Sequence, residues 1–407
     1  MIIENRRNRA HIDWPLILMV FGLAVFGVLA VCVASYSTSS SSDATLLTHI
    51  AESSYAVKQV IFVFVVAPAV LLVLINVPYD LMKFLTPILF VASVVLLFLV
   101  WILNRAAGVK AWLDIIWGFT LQPSEFIKLT TILMLARTLA TDERPLTTAK
   151  SWIDMVFIIG IPAAITLLSG EMGSLLVIVF LVAVMLYFAG TPMKILFAIA
   201  GVGILGIGIL YGVMVATGSD SYRLARILAF LNPELYSSTD AYQMRQSQMT
   251  IGSGGLTGIG IFVDGSISQL NYVPADWTDF IFATIGEAWG FVGCATLLLV
   301  YLLIILRMLY LARYTRDRYG MLVIYGVIGM FLFHVFENIG MTLGLMPITG
   351  IPLPFISYGG SNMVTNMGAI ALVLNITKNR SLTHTVLTPQ RDYNAYTATT
   401  RKKKKEK

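Results

Sequence analysis

The chain has 407 residues, of which 57% are hydrophobic and only 12% charged, and its mean hydropathy is +0.81. A soluble domain of this length fills its core with far less apolar material, so the composition excludes one and points to an integral membrane protein. Of the formal net charge of +6, the last seven residues, RKKKKEK, supply +5. That segment reads as a solvated tail touching anionic cytoplasmic lipids, and with no aromatic residues among the lysines it gives no ground for nucleic-acid binding.

A hydrocarbon core about 30 Å thick takes roughly 20 apolar residues per helix. On that ruler, spans are predicted in chain order at 15–35, 59–77, 85–103, 123–140, 154–169, 174–189, 195–215, 280–306, 321–343 and 357–376. The fifth and sixth are close enough to read as one broken segment. The predicted fold is an all-α integral membrane protein of about ten transmembrane helices, and the alternating strands of a membrane barrel are absent.

An even helix number puts both termini on one side, and the basic "ENRRNR" and "RKKKKEK" make that side the cytoplasm. On this arrangement 21 of the 28 Lys and Arg fall in or beside cytoplasmic segments; the others are Lys58, Arg105, Lys110, Lys128, Arg223, Arg226 and Arg245. The chain then divides into a cytoplasmic N-terminus (1–14), a membrane domain (15–377) and a basic cytoplasmic tail (378–407). The first apolar run is longer than a signal-peptide core and should stay as the first helix. Cys32 and Cys294 fall in predicted helices and read as packing residues, and the four His show no ligand spacing.

Two outside loops are long, 36–58 and 216–279, the latter a large extracytoplasmic loop between helices 7 and 8. It holds "YRLARILAFLNPELY", which mixes arginines with an amphipathic period, and then "AYQMRQSQMTIGSGGLTGIG". A short interfacial helix followed by a glycine-rich turn segment is expected. The "GSGGLTG" within it lacks the preceding strand and following GK[ST] of a phosphate loop.

Three further stretches carry charge where apolar residues are the rule. In "GVKAWLDIIWGFTLQPSEFIKL", Pro123 suits a first helical turn, and Glu125 and Lys128 follow three residues apart on one face. An ion pair at membrane depth is either an interhelical clamp or functional. In "HVFENIGMTLGLMPITGIPLPFISYGG", three prolines and many glycines lie between helices nine and ten, and such backbone must line a cavity or be buried in protein. His334 and Glu337 sit there at helical spacing and read as satisfying each other. In "PADWTDFIFATIGEAWG", Asp276 and Asp279 stand where a polar loop meets the eighth helix. Acids in a first turn commonly cap free amides, a task open to Asp276, Thr278 or Asp279.

The blocks "QPSEFIKL", "QSQMTIGSGGLTGIG", "TDFIFATIGEAWGFVG" and "NIGMTLGLMPITGIPLPFISYGGS" resemble, in order and over roughly 15–377, the signatures of the bacterial shape, elongation, division and sporulation (SEDS) family, the RodA and FtsW proteins. "NIGM" followed by "PITGIPLPFISYGG" looks more like the elongation member, RodA, than the division or sporulation members. The resemblance implies a ten-helix peptidoglycan glycosyltransferase of the bacterial cell membrane that polymerises lipid II at the outer face for cell-wall elongation. It also implies a class B penicillin-binding protein as partner. The family's essential Asp falls on Asp279, its Trp on Trp112, and its Glu and Lys on Glu125 and Lys128. Ser253 and Gly254 of the glycine-rich block are counted with these as candidate cavity residues. Ala275, Trp277, Ala111 and Glu171 stand where the family often has Glu, His, Arg and a "PDxG" motif.

The implied chemistry needs a general base for a GlcNAc 4-hydroxyl and cations for departing undecaprenyl pyrophosphate. Asp279 is the candidate base; Lys128, Arg223, Arg226 and Arg245 are the candidate cations, and a divalent cation such as Mg2+ is a candidate helper whose site no spacing specifies. The opposing readings are a lipid II flippase, which polar helices and proline-broken segments also fit, and a scaffold without chemistry.

Overall fold

The structure is a computed structural model that describes residues 12–36, 46–107, 112–114, 120–141, 145–201, 203, 230 and 239–379. The expected interfacial helix over 222–236, with Arg223 and Arg226, and the basic termini 1–11 and 380–407 lie outside the described residues.

In chain order the helices are α1 (Trp14–Ala34), α2 (Leu46–Glu52), α3 (Ser54–Asn76), α4 (Tyr79–Ala107), α5 (Pro123–Thr141) and α6 (Ala149–Leu168). Then follow α7 (Met172–Phe188), α8 (193–201), α9 (Thr239–Ser253), α10 (Ile281–Arg313), α11 (Arg318–Thr342) and α12 (Gly360–Asn379). A two-residue antiparallel ladder, β1 (Leu113–Asp114) with β2 (Thr120–Leu121), precedes α5. Nine of the expected spans coincide with helices, and the seventh opens as α8 before leaving the described residues. Among the described residues six helices, α1, α3, α4, α6, α10 and α11, are long and apolar enough to cross a membrane. The polar stretch before the glycine-rich turns, expected as irregular, is helical through Ser253 as α9.

Local chemistry sets the helix ends. Asp13, Ser53, Thr148 and Asp317 each accept a backbone amide of the first turn of α1, α3, α6 and α11. Pro123 occupies the first position of α5, where its missing N–H is no loss. Gly170, at φ 83°, turns the chain between α6 and α7, so these are two helices and not one broken segment. Both α3 and α6 contain a five-residue π turn, Phe62–Val66 and Val156–Gly160, just before Pro68 and Pro162. Each proline lacks the N–H for the carbonyl four residues back and would clash with it; the wider turn relieves both.

The polarity is graded from the centre outwards. α12 is buried along nearly its whole length although it carries Asn362, Thr365, Asn366 and Asn375. α5, with Glu125, Lys128, Thr130 and Thr131 buried, packs against α4, α7, α11 and α12. α4, by contrast, exposes Phe84, Ile88, Val91, Val95 and Leu99, as a lipid-facing helix would. At one end of the bundle, Arg307 of α10 holds Asp13 at the start of α1 (2.8 Å), and Lys83 and Tyr79 of α4 hold Asp317 before α11 (Lys83 at 3.2 Å). Burial opposes the charge on Asp317, yet the Tyr79 hydroxyl, the Gly320 amide and Lys83 together keep its pKa below the ordinary range.

α10 is broken at Gly290, whose φ of 62° and ψ of −160° are not helical. The free groups around the break are taken by the glycine-rich turns after α9. Ile259 and Gly260 amides donate to the Glu287 and Ala288 carbonyls (2.9 and 3.2 Å), while Phe291 and Val292 amides donate to Gly255 and Leu256 (2.9 and 3.1 Å). So close a crossing of two backbones requires glycine. A Cβ at Gly258, φ 82°, would lie 2.2 Å from the Ala288 carbonyl oxygen, and one at Gly254 would lie 1.9 Å from that of Gly286. Gly258→Ala is therefore expected to destabilise the protein by about 2 kcal/mol or more, combining backbone strain with a clash that no rotamer change relieves. Unfolding in detergent micelles is the check; a melting temperature equal to the parent's would mean that the crossing is looser than described.

Candidate active site

The loop before α10 carries both acids of interest, and its backbone is held from three sides. Three consecutive carbonyls each accept a hydrogen bond: Trp277 from the Tyr358 amide (2.9 Å), Thr278 from the Ser357 hydroxyl (2.6 Å) and Asp279 from the Asn338 side-chain amide (2.8 Å). Asn338 also donates to the Ile351 carbonyl at 2.8 Å, so one amide on α11 joins the loop to the proline-rich 346–358 segment. That segment is itself wedged: a Cβ at Gly27 of α1 would meet the Phe355 carbonyl at 2.5 Å, and one at Gly173 of α7 would meet the Thr349 carbonyl at 2.8 Å.

Asp279 is half-buried, with Oδ2 3.3 Å from where a Cβ on Gly350 would sit. It stands two residues before α10, which begins at Ile281, and not in the first turn as expected. The helix has no side-chain cap: Phe280 fills the cap position, and Thr278 donates to the Ala275 carbonyl instead (3.2 Å). Capping thus accounts for neither acid.

Asp276 differs sharply from its neighbour. It is fully buried, and neither carboxylate oxygen has a hydrogen-bond partner. Burial pushes its pKa well above the ordinary range, with only the nearby Asp276 and Trp277 amides favouring the charge and Glu287 adding repulsion. A folded-state pKa raised above the unfolded one subtracts stability as pH climbs from the ordinary carboxylate range through the shifted value. Asp276→Asn should gain on the parent as pH rises from about 4 to about 8. Melting curves of both proteins across that range test it; parallel curves would show that Asp276 is not buried as a neutral acid.

Below the loop lies a cluster of buried charge. Lys128 Nζ binds Glu125 Oε1 at 2.7 Å and His334 Nε2 at 3.0 Å, and Lys128 and Glu125 are each 1% exposed. His334 Nδ1 lies 2.8 Å from the Met330 carbonyl, which can only accept. Nδ1 therefore carries the proton, and Nε2 is free to accept from the ammonium. The expected His334–Glu337 pairing does not form: Glu337 Oε1 accepts from the Thr349 hydroxyl at 2.9 Å. Glu171, before α7, accepts from the Gln122 side chain at 2.7 Å, and the Gln122 amide donates to Ser361 at 3.0 Å. Burial raises the pKa of Glu171, while Ser124, Gln122 and Lys128 pull it back.

The remaining candidates are scattered. Trp112 stands 44% exposed beside β1, and Arg245 is exposed on α9. Ser253 and Gly254 sit at the crossing with α10, where the Ser253 hydroxyl reaches the Thr250 carbonyl (2.7 Å) and Glu287 (3.5 Å). Sequence reasoning gave no role to Glu287, which accepts from the Ile267 amide (2.7 Å) and the Ser268 amide and hydroxyl (3.0 and 2.5 Å). It also missed Asn338 as the clamp on Asp279. Among the described residues no group of three or more His, Cys, Asp or Glu side chains is placed to hold a metal ion, so the described residues do not make a Mg2+ site.

Removing either member of the buried pair strands the other. Lys128→Met should destabilise by about 3–5 kcal/mol, and the double variant Glu125→Gln/Lys128→Met should recover much of that loss. Unfolding of the single and double variants in micelles decides it, and strictly additive losses would deny the coupling.

Charged side chains inside a helical bundle, beside a clamped acidic loop on irregular backbone, define a multi-pass membrane protein with an intramembrane polar site. Residues 14–382 match the FtsW/RodA/SpoVE family, described as cell cycle protein, and the chain belongs to it. It is 30% identical to "Peptidoglycan glycosyltransferase RodA" of Treponema pallidum (strain Nichols), over 91% of this chain and 98% of that one. It is 31% identical to "Probable peptidoglycan glycosyltransferase FtsW" of Trichlorobacter lovleyi, over 94% of this chain and 97% of that one. Among solved structures it is similar, at TM-score 0.72 and 26% identity, to a chain of a peptidoglycan synthase complex that coordinates polymerization and crosslinking, covering 91% of this chain and 98% of that one.

Proposed function

We propose that the protein is a peptidoglycan glycosyltransferase of the elongation type, polymerising lipid II with inversion at the anomeric carbon. The observation that carries this reading is the Asp279 loop. Three successive main-chain carbonyls are held by hydrogen bonds from the 357–358 turn and from α11, so a half-buried acid is pre-positioned at the entry to α10.

In the reaction, the acceptor GlcNAc 4-hydroxyl attacks C1 of the lipid-linked MurNAc. The new C1–O4 bond forms as the C1–O(phosphate) bond breaks, undecaprenyl pyrophosphate leaves with the electron pair, and Asp279 takes the hydroxyl proton. Lys128, with Glu125 and His334 engaging two of its three N–H groups, supplies positive charge beneath the loop. Arg245, exposed on α9, is the described arginine offered to the departing pyrophosphate.

The lysine and arginine distribution supports a topology of ten crossings with both termini in the cytoplasm, on which this site would face outside. The likeness to a chain of a synthase complex supports a crosslinking partner, a class B penicillin-binding protein.

Asp279→Asn keeps the size of the side chain and removes the base. The expected variant folds, binds its partner and makes glycan from lipid II at least about 100-fold more slowly. Purified variant, partner and lipid II, with strand products resolved by gel, provide the test. Near-normal synthesis would rule out the base assignment, and absence of glycan from the parent complex would favour a flippase or scaffold.

A further inference from the structure

The loop that carries Asp279 also forms one wall of a separate open cavity of about 560 Å³, which the end of α1 and the start of α3 line on the other sides. Its lining combines aromatic rings with short neutral polar groups: Tyr36, Tyr55 and Trp277 with Ser53, Ser54 and Asn271. No charged side chain is among its described lining residues. A pyrophosphate or carboxylate would need cationic partners, which these described lining residues do not offer. A lipid chain fits poorly against hydroxyls and an amide. The groove between α1 and α10, lined by Leu18, Leu23, Phe26, Val292 and Leu297, has the apolar character a lipid would want and shows the contrast.

Trp277 and Tyr55 stack at 4.9 Å between centroids with 21° between planes, and Tyr358 meets Tyr55 edge-on at 5.1 Å. The Tyr358 amide in turn binds the Trp277 carbonyl, so the platform is tied to the clamp on the Asp279 loop. The Tyr36 hydroxyl is fixed on Asp264 at 3.0 Å, and Ser53 on Ser35 at 2.6 Å. Asn271 is exposed and holds φ at 52°, a left-handed conformation uncommon outside glycine. A rigid aromatic face flanked by neutral hydroxyl and amide groups suits a ring that is apolar on its face and hydroxylated at its rim.

We propose that this cavity is a binding subsite for a neutral N-acetylhexosamine unit of the glycan strand, stacked on the Tyr55–Trp277 pair one loop turn from Asp279. The inference rests on the glycosyltransferase reading above and adds where the strand is held. Trp277 acts as a specificity and positioning residue, holding a sugar that does not itself react.

The probe is a soluble N-acetylglucosamine tetramer titrated onto the full-length protein in micelles, with binding followed by saturation-transfer NMR. The parent should bind it in the millimolar range. Trp277→Ala should weaken binding about fivefold or more, and Trp277→Phe should stay within about threefold. Ser54→Trp, placed at an exposed position on the rim, should abolish binding by filling the cavity while melting as the parent does. In polymerisation, Trp277→Ala should give shorter strands, whereas Trp277→Phe should keep parental length. Asp279→Asn should bind the tetramer as the parent does, so loss of its catalysis and loss of the subsite read out separately. No tetramer binding by the folded parent, or equal binding by parent, Trp277→Ala and Ser54→Trp, would overturn the proposal whatever the fate of the base assignment.

Discussion

A backbone amide or carbonyl left unpartnered in hydrocarbon costs several kcal/mol, and this protein breaks its helices at membrane depth. The constraint is met most visibly at Gly290, where the turns after α9 supply two donors and two acceptors to the interrupted α10. That exchange fuses α9, the glycine-rich turns and the first segment of α10 into one body. Glu287 reinforces it from inside by gathering the 267–268 backbone. The N-terminal end of that body is the loop bearing Asp276 and Asp279. Its position is therefore inherited from a backbone-satisfaction problem solved some ten residues away.

The same constraint shapes the 346–358 segment. Its prolines cannot sustain a helix, so its polar groups look elsewhere: the Ser357 hydroxyl accepts the Leu353 amide and donates to Thr278, and the Pro354 carbonyl accepts the Tyr301 hydroxyl at 2.5 Å. Because these partners include the carbonyls around Asp279, satisfying one irregular segment immobilises the other. The bundle is polar at its centre for the same reason. α5 and α12 fall short of the apolarity of the spanning helices, yet most of their residues are buried, and their polar side chains answer to protein and not to lipid.

Much of this was legible in the sequence, and the failures have physical causes. The helices stand where apolar runs of bilayer length put them, and Glu125 and Lys128 pair as their spacing suggests. The break at Gly290 was invisible because "EAWGFVG" sits inside an otherwise continuous apolar run, and a lone glycine there reads as tolerated. His334 and Glu337 misled because helical spacing ranks neighbours on one helix and says nothing of partners on another. Lys128, 206 residues away, takes the imidazole, and Thr349 takes the carboxylate. The clamp by Asn338 carried no local signal beyond lying in a block that resembled the family's. Spacing also placed Asp279 in a first turn, whereas the helix starts at Ile281 because the Phe280 amide bonds back to Ala275 and holds the chain in a turn.

Two carboxylates three residues apart end in opposite environments, and that separation is itself an argument about role. Asp276 is sealed in with no hydrogen-bond partner among the described residues, a setting that raises its pKa and favours the neutral acid. Asp279 remains half-exposed, on a main chain whose carbonyl is held by the Asn338 amide. The loop thus divides two chemically identical residues by burial alone: one carboxyl is enclosed by the fold, and the other stays half-open at the entry to α10.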